Sequence, residues 1–115
     1  MMQYRKKRIR DARRRGYSLM TKSFYEKALQ HFGIEDRADK LIKEMAELIV
    51  ALKHYKDNKT TKNHVIKEIA DVHVLLNTVA FYFDTLQINQ RIVDIELKVD
   101  AMIDADCRKN VGGAI

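Results

Sequence analysis

The sequence contains no proline, a single cysteine and four glycines, and it has no long run of apolar residues. Two of the glycines, Gly112 and Gly113, lie close to the C-terminus, so few residues elsewhere would interrupt a helix. The single cysteine, Cys107, excludes an intrachain disulfide and a cysteine cluster for zinc. A membrane span needs about 20 consecutive apolar residues, and a secretory signal needs an apolar segment behind its basic end. Neither is present, so we expect a soluble, cytoplasmic protein. The scarcity of proline and glycine predicts an all-α fold.

The positive charge of the chain is concentrated at one end. The formal net charge is +6 over 115 residues, but residues 1–15 alone contain eight basic side chains against one acidic residue, Asp11. We therefore expect residues 1–16 to form a basic arm, flexible or helical, residues 17–106 to form one helical domain, and residues 107–115 to form a tail. Such an arm either binds nucleic acid in a salt-dependent, sequence-independent way or is a solvated tail, and its charge leaves both interpretations open.

Apolar residues recur at helical spacing in four segments. These segments predict helices at about residues 23–32, 36–56, 63–85 and 89–105. Gly33 is expected to end the first helix, and the expected N-caps of the later helices are Asp36, then Thr61 or Asn63, then Asn89. The third helix carries apolar residues on two sides, so one neighbouring helix cannot cover it. This pattern places it at the centre of the fold or at a subunit interface.

Two acidic pairs on consecutive helices are the most informative feature. Glu44 and Glu47 on the second helix, and Glu68 and Asp71 on the third, each have the i, i+3 spacing that places two carboxylates on one helix face. At about 100° per residue, Glu68 lies inside the apolar sector of its helix, and Glu44 lies at the edge of the apolar sector of the second. A short loop between the helices favours antiparallel packing, which would bring both pairs to one place.

Four carboxylates in a partly apolar setting repel one another, and each pays a desolvation cost. A hard divalent cation, most simply Mg²⁺, would remove the conflict, and carboxylate oxygens select such ions. A solvated acidic face is the competing interpretation, and periodicity alone does not decide between them. A di-iron site of the four-helix type is excluded, because no histidine here follows a glutamate at the required Glu-x-x-His spacing.

The segment Glu44-Met-Ala-Glu47, followed twenty residues later by Glu68-Ile-Ala-Asp71, resembles the E-E-x-x-E and E-x-x-D signature of the MazG-like, all-α nucleoside triphosphate pyrophosphohydrolases. The resemblance covers about residues 23–103 and is nearest to the small phage and bacterial members. It implies a four-helix bundle completed by assembly into a homodimer or homotetramer.

The resemblance also implies an activity and a set of site residues. The expected reaction cleaves a nucleoside or deoxynucleoside triphosphate into a monophosphate and pyrophosphate. The expected ligands for Mg²⁺, with Mn²⁺ as an alternative, are Glu44, Glu47, Glu68 and Asp71.

The sequence departs from the family pattern at three places. Lys43 replaces the first glutamate of the family motif, Ala101 replaces one of two basic residues in the last helix, and Arg37 replaces a glutamine. Lys98, the retained basic residue, is therefore the expected phosphate-binding side chain, with Arg37 or a residue of the basic arm as a substitute for the lost one. A non-enzymatic, nucleic-acid-binding or regulatory helical protein is the alternative hypothesis.

Overall fold

The computed structural model describes residues 22–113, together with the separate positions Lys7 and Arg10. The described residues contain four α-helices and no strand, which confirms the all-α prediction. The helices are α1 (Lys22–Phe32), α2 (Ile34–Lys56), α3 (Lys62–Phe83) and α4 (Thr85–Gly113). The predicted basic arm, residues 1–16, lies outside the described residues apart from Lys7 and Arg10, which are helical and exposed.

The chain divides into two compact units, residues 1–81 and residues 82–115. Helices α1 and α2 and nearly all of α3 belong to the first unit, and α4 belongs to the second. None of the described helices combines the length and the apolarity that crossing a bilayer requires.

Gly33 separates α1 from α2. Its backbone angles, φ 84° and ψ 158°, lie in a region that is essentially restricted to glycine. Its N–H donates to the carbonyl of Leu29 at 2.8 Å, and its own carbonyl accepts from the N–H of Arg37 at 3.2 Å, so this residue ends one helix and begins the next. The prediction of Asp36 as the N-cap of α2 is therefore wrong. Asp36 lies in the first turn of α2, where its charge interacts favourably with the helix dipole.

The starts of α3 and α4 depend on side-chain oxygens. Thr61 Oγ1 accepts a hydrogen bond from the N–H of His64 at 3.2 Å, which makes Thr61 rather than Asn63 the cap of α3. Asp84 Oδ1 accepts from the N–H of Gln87 at 3.1 Å, so α4 begins four residues before the predicted cap, Asn89. The same helix continues to Gly113, beyond the predicted end at 105, because no proline or glycine interrupts residues 85–111.

Among residues 22–81, the most buried side chains follow one line on α2 and one on α3. On α2, Leu41 and Ala51 are buried, and Glu44 and Leu48 are half-buried. The buried residues on α3 are Val65, Glu68, Leu75 and Thr78. The steps are three or four residues along α2 and three or seven along α3, which is the pattern of helices that pack along a seam. A hydrogen bond of 3.1 Å from Asn77 Nδ2 to the hydroxyl of Tyr25 joins α1 to α3.

The buried face of α3 differs from the main apolar stripe that helical periodicity predicts, which consists of Val65, Ile69, Val72, Leu76, Val79 and Phe83. Ile69 and Leu76, expected in its middle, are 48% and 50% exposed, whereas Glu68 and Thr78 are 5% and 2% exposed. The buried face of α3 is therefore shifted from the predicted apolar stripe toward the side that carries Glu68 and Asp71. Thr78 tolerates this burial because its hydroxyl donates to the carbonyl of Val74 at 2.8 Å.

Candidate metal centre

Three carboxylates from two helices converge within the first unit. One oxygen from each of Glu44, Glu68 and Asp71 lies within 4.8 Å of the others. Glu68 is 5% exposed, and Glu44 and Asp71 are half-buried. The short turn between α2 and α3 brings their facing sides together, as the sequence predicted for these three residues.

The buried oxygens of this cluster are poorly compensated. Within the described part of the chain, Glu44 Oε2 and Glu68 Oε2 are buried and have no hydrogen-bond partner. Buried polar atoms in folded proteins almost always have a partner, and the need is greatest for a charged oxygen. Two inward-facing carboxylate oxygens in this condition form a set that a hard cation would satisfy.

The pKa of Glu44 is raised by burial and by the neighbouring carboxylates. Burial is the largest cause that raises this pKa above its ordinary value of 4.5, followed by hydrogen bonding with Glu47 and by the negative charges of Glu47, Asp71 and Glu68. Each cause penalises the charged form of Glu44. A bound cation would act in the opposite direction, because it favours the deprotonated carboxylate.

Lys67 partly neutralises the negative charge of the cluster on its solvent side. Its Nζ lies 3.0 Å from Asp71 Oδ2 and 3.6 Å from Glu68 Oε1, and the hydrogen bond to Asp71 is the largest cause that raises the pKa of Lys67 above its ordinary value of 10.5. The lysine side chain is 68% exposed, so it approaches from the solvent side. Its contacts leave the inner oxygen, Glu68 Oε2, unsatisfied by any described residue. Sequence reasoning did not single out Lys67, although its i, i+4 spacing to Asp71 was a usable signal.

Glu47 has a different position from the other three predicted ligands. It is exposed and is not part of the set whose oxygens lie within 4.8 Å of one another. It does lie next to Glu44, because a side-chain hydrogen bond with Glu47 and the charge of Glu47 both raise the pKa of Glu44. Glu47 therefore borders the cluster on its solvent side, where a carboxylate can contact water.

The two basic residues predicted to bind substrate lie in different settings. The guanidinium of Arg37 contacts Asp36 Oδ2, at 2.6 Å from Nη2 and 3.0 Å from Nε, and lies 3.8 Å from the centre of the Phe32 ring. These local contacts hold Arg37 at the junction of α1 and α2, with 14% of its side chain exposed. Lys98 is exposed on α4, in the second unit, and its predicted role stays a prediction.

Comparisons of the chain with protein-family models, with curated proteins and with solved structures found no match. The resemblance to the MazG-like pyrophosphohydrolases thus rests on the two acidic motifs and their flanking residues. The convergence of Glu44, Glu68 and Asp71 is an independent, structural observation about the same residues.

Proposed function

We propose that this protein is a Mg²⁺-dependent nucleotide pyrophosphohydrolase that cleaves nucleoside or deoxynucleoside triphosphates to a monophosphate and pyrophosphate. The observation that carries the proposal is the buried oxygen Glu68 Oε2, which has no hydrogen-bond partner among the described residues and belongs to a side chain that converges with Glu44 and Asp71. Folding brings three acids together there at a cost that a solvated acidic face would not incur. Retaining such a conflict is typical of a site that binds a cation.

The residues have distinct roles in this proposal. Glu44, Glu68 and Asp71 would hold the cation, Mg²⁺ or alternatively Mn²⁺, which when bound would neutralise charge that develops on the phosphate oxygens. Glu47 borders the cluster without belonging to the converging set, so it is suited to accept the proton of the attacking water. The water oxygen forms a bond to one phosphorus as the bond between the α and β phosphates breaks.

Assembly into a homodimer or homotetramer is part of the same proposal. In the first unit, apolar side chains stay half or more exposed on both long helices, including Ile42 at 61% and Ile49 at 67% on α2 and Ile66 at 51% on α3. Apolar surface on this scale is typical of an interface between subunits. Size-exclusion chromatography with light scattering should give twice or four times the monomer mass of 13.5 kDa.

The activity is tested by incubating the purified full-length protein with Mg²⁺ and a panel of nucleoside and deoxynucleoside triphosphates, and by measuring pyrophosphate release. We expect release from at least one nucleotide, loss of that activity with a chelator, and recovery with added Mg²⁺ or Mn²⁺. Glu68→Gln and Asp71→Asn should reduce the rate by at least about 100-fold, since each replaces a charged carboxylate ligand with a neutral amide.

A matched control is Glu26→Gln, which neutralises an exposed acid on α1 of the same unit and should retain full activity. Absence of pyrophosphate release from every nucleotide would refute the proposal. Equal rates in the wild-type protein and both cluster variants would also refute it.

A nucleic-acid-binding function is a second candidate, and the observation that favours it is the charge of residues 1–15. It predicts retention of DNA or RNA at low salt that is lost when those residues are deleted. A wild-type protein that does not bind nucleic acid at low salt would refute this candidate. The two functions use different parts of the chain and do not exclude each other.

A further inference from the structure

A groove of about 530 Å³ lies beside the acidic cluster and is formed by α2 and α3. Its volume falls within the range of about 300–1,000 Å³ that is usual for small-molecule sites. The lining residues are Lys43, Ala46, Glu47 and Val50 from α2 and His64 and Glu68 from α3. Glu68 belongs to both the groove and the cluster, so a ligand in the groove would adjoin the cation site.

The groove combines two basic side chains with an apolar wall. Lys43 immediately precedes Glu44 on α2, and His64 lies one turn before Glu68 on α3, so each helix that supplies a carboxylate also supplies a nitrogen donor. Ala46 and Val50 provide apolar surface between the polar ends. Both Lys43 and His64 are exposed, so neither is needed to fill the core.

The start of α3 adds a favourable potential for an anion. His64 lies in the first turn of this helix, which contains no acidic residue. Within that turn no carboxylate offsets the partial positive charge of the helix N-terminus, which adds to the charge of Lys43, whereas the carboxylates of Glu47 and Glu68 line other parts of the groove. Glu68, with a buried oxygen that no described residue satisfies, marks the end of the groove where a cation would bridge to the anion.

We infer that this groove binds the terminal phosphates of the substrate, with Lys43 and His64 donating hydrogen bonds to their oxygens. The inference rests on the proposed function for the identity of the substrate, and it extends that function by assigning two residues and a specificity. A triphosphate reaches farther along the groove from the cation site than a diphosphate does. Lys43 and His64 therefore favour triphosphates and hold the departing pyrophosphate. At Lys43 this chain has a donor where the E-E-x-x-E pattern has an acid.

The test measures equilibrium binding of inorganic pyrophosphate to the full-length protein by titration calorimetry in Mg²⁺, so that it does not depend on turnover. Lys43→Gln and His64→Gln should each weaken binding by about tenfold or more, the usual effect of losing a hydrogen bond to a charged group. Lys53→Gln and His54→Gln are the matched controls, because both residues are exposed on α2 and neither lines the groove. Thermal melting of each variant confirms that the fold is retained.

Where the wild-type protein releases pyrophosphate from nucleotides, the same variants give a second readout. The ratio of kcat/KM for a nucleoside triphosphate to that for the matching diphosphate should fall by about tenfold in Lys43→Gln and His64→Gln, mainly through KM. Unchanged pyrophosphate affinity in both variants would overturn the inference, and so would failure of the wild-type protein to bind pyrophosphate. If pyrophosphate binds and both variants weaken it while no nucleotide is hydrolysed, the proposed function fails and the groove assignment stands.

Discussion

Replacing Glu68 with glutamine should raise stability in the absence of a divalent cation, and this advantage should disappear or reverse when the cation is bound. The substitution keeps the shape of a side chain that is 5% exposed and removes its charge. It also supplies an amide that can donate to the carboxylate of Glu44, whose Oε2 has no partner among the described residues. Leaving a buried polar group unsatisfied costs about 1–3 kcal/mol, and more when it is charged, so we expect the metal-free variant to be more stable by about that amount.

Mg²⁺ should reverse this advantage. A ligand present at about 100 times its dissociation constant stabilises the native state by about 2.7 kcal/mol, and only the wild-type protein keeps the complete set of carboxylates. The two proteins should therefore become similar in stability, or the wild type should become the more stable one. For a domain of about 100 residues, each kcal/mol corresponds to roughly 4 °C in Tm.

The assay is thermal unfolding followed by far-UV circular dichroism, in a chelator and then across a Mg²⁺ titration. Glu26→Gln serves as the control, because it removes the charge of an exposed acid in the same unit. A metal-free Glu68→Gln protein that melts below the wild type would refute the claim that this carboxylate is uncompensated. An equal gain from Mg²⁺ in both proteins would refute the cation site.

Two further predictions concern the titration of the cluster and the junction between α1 and α2. Because the folded-state pKa of Glu44 is raised above its ordinary 4.5, the free energy of unfolding of the metal-free protein should decline as pH increases from about 4.5 through the raised pKa. Urea unfolding across that pH range should show this decline in the wild type and not in Glu44→Gln, and parallel profiles would contradict it. Gly33→Ala should lower the free energy of unfolding by about 1–3 kcal/mol, since φ 84° with ψ 158° strains any residue that has a Cβ. No described atom lies within 4 Å of the added carbon, so an unchanged urea midpoint would show that the backbone angles carry no cost.

The candidate site was predictable to the extent that it depends on helical periodicity. The i, i+3 pairs placed Glu44, Glu68 and Asp71 on facing sides of two consecutive helices, and the structure brings them together. Periodicity placed Glu47 farther than Glu44 from the apolar sector of α2, but it did not exclude Glu47 as a ligand, because residues three apart share a helix face. Lys67 and the groove residues Lys43 and His64 were not identified as parts of one site, because their roles depend on how far apart α2 and α3 lie.

The predicted break at Gly33 is correct, because no other residue there could provide it. The predicted start of α4 is wrong, because more than one polar residue there could cap the helix. Gly33 has no competitor as a break between α1 and α2, because it alone in that segment lacks a Cβ. At the start of α4, both Asp84 and Asn89 have side chains that can cap a helix. The structure uses Asp84, whose position allows four more helical residues to form backbone hydrogen bonds.

The sequence by itself determined that this chain is helical, where its main turns fall and which acids share a helix face, because these properties follow from local backbone preferences and a period of 3.6 residues. Periodicity placed Glu68 inside the apolar sector of α3, but tertiary packing alone decided that Thr78 is buried while Ile69 and Leu76 are half-exposed. It also decided that three carboxylates meet within 4.8 Å of one another, with one inner oxygen on each of Glu44 and Glu68 that no described residue satisfies. Rotation of a helix about its own axis costs little in local energy, so it is set by the contacts that its neighbours provide.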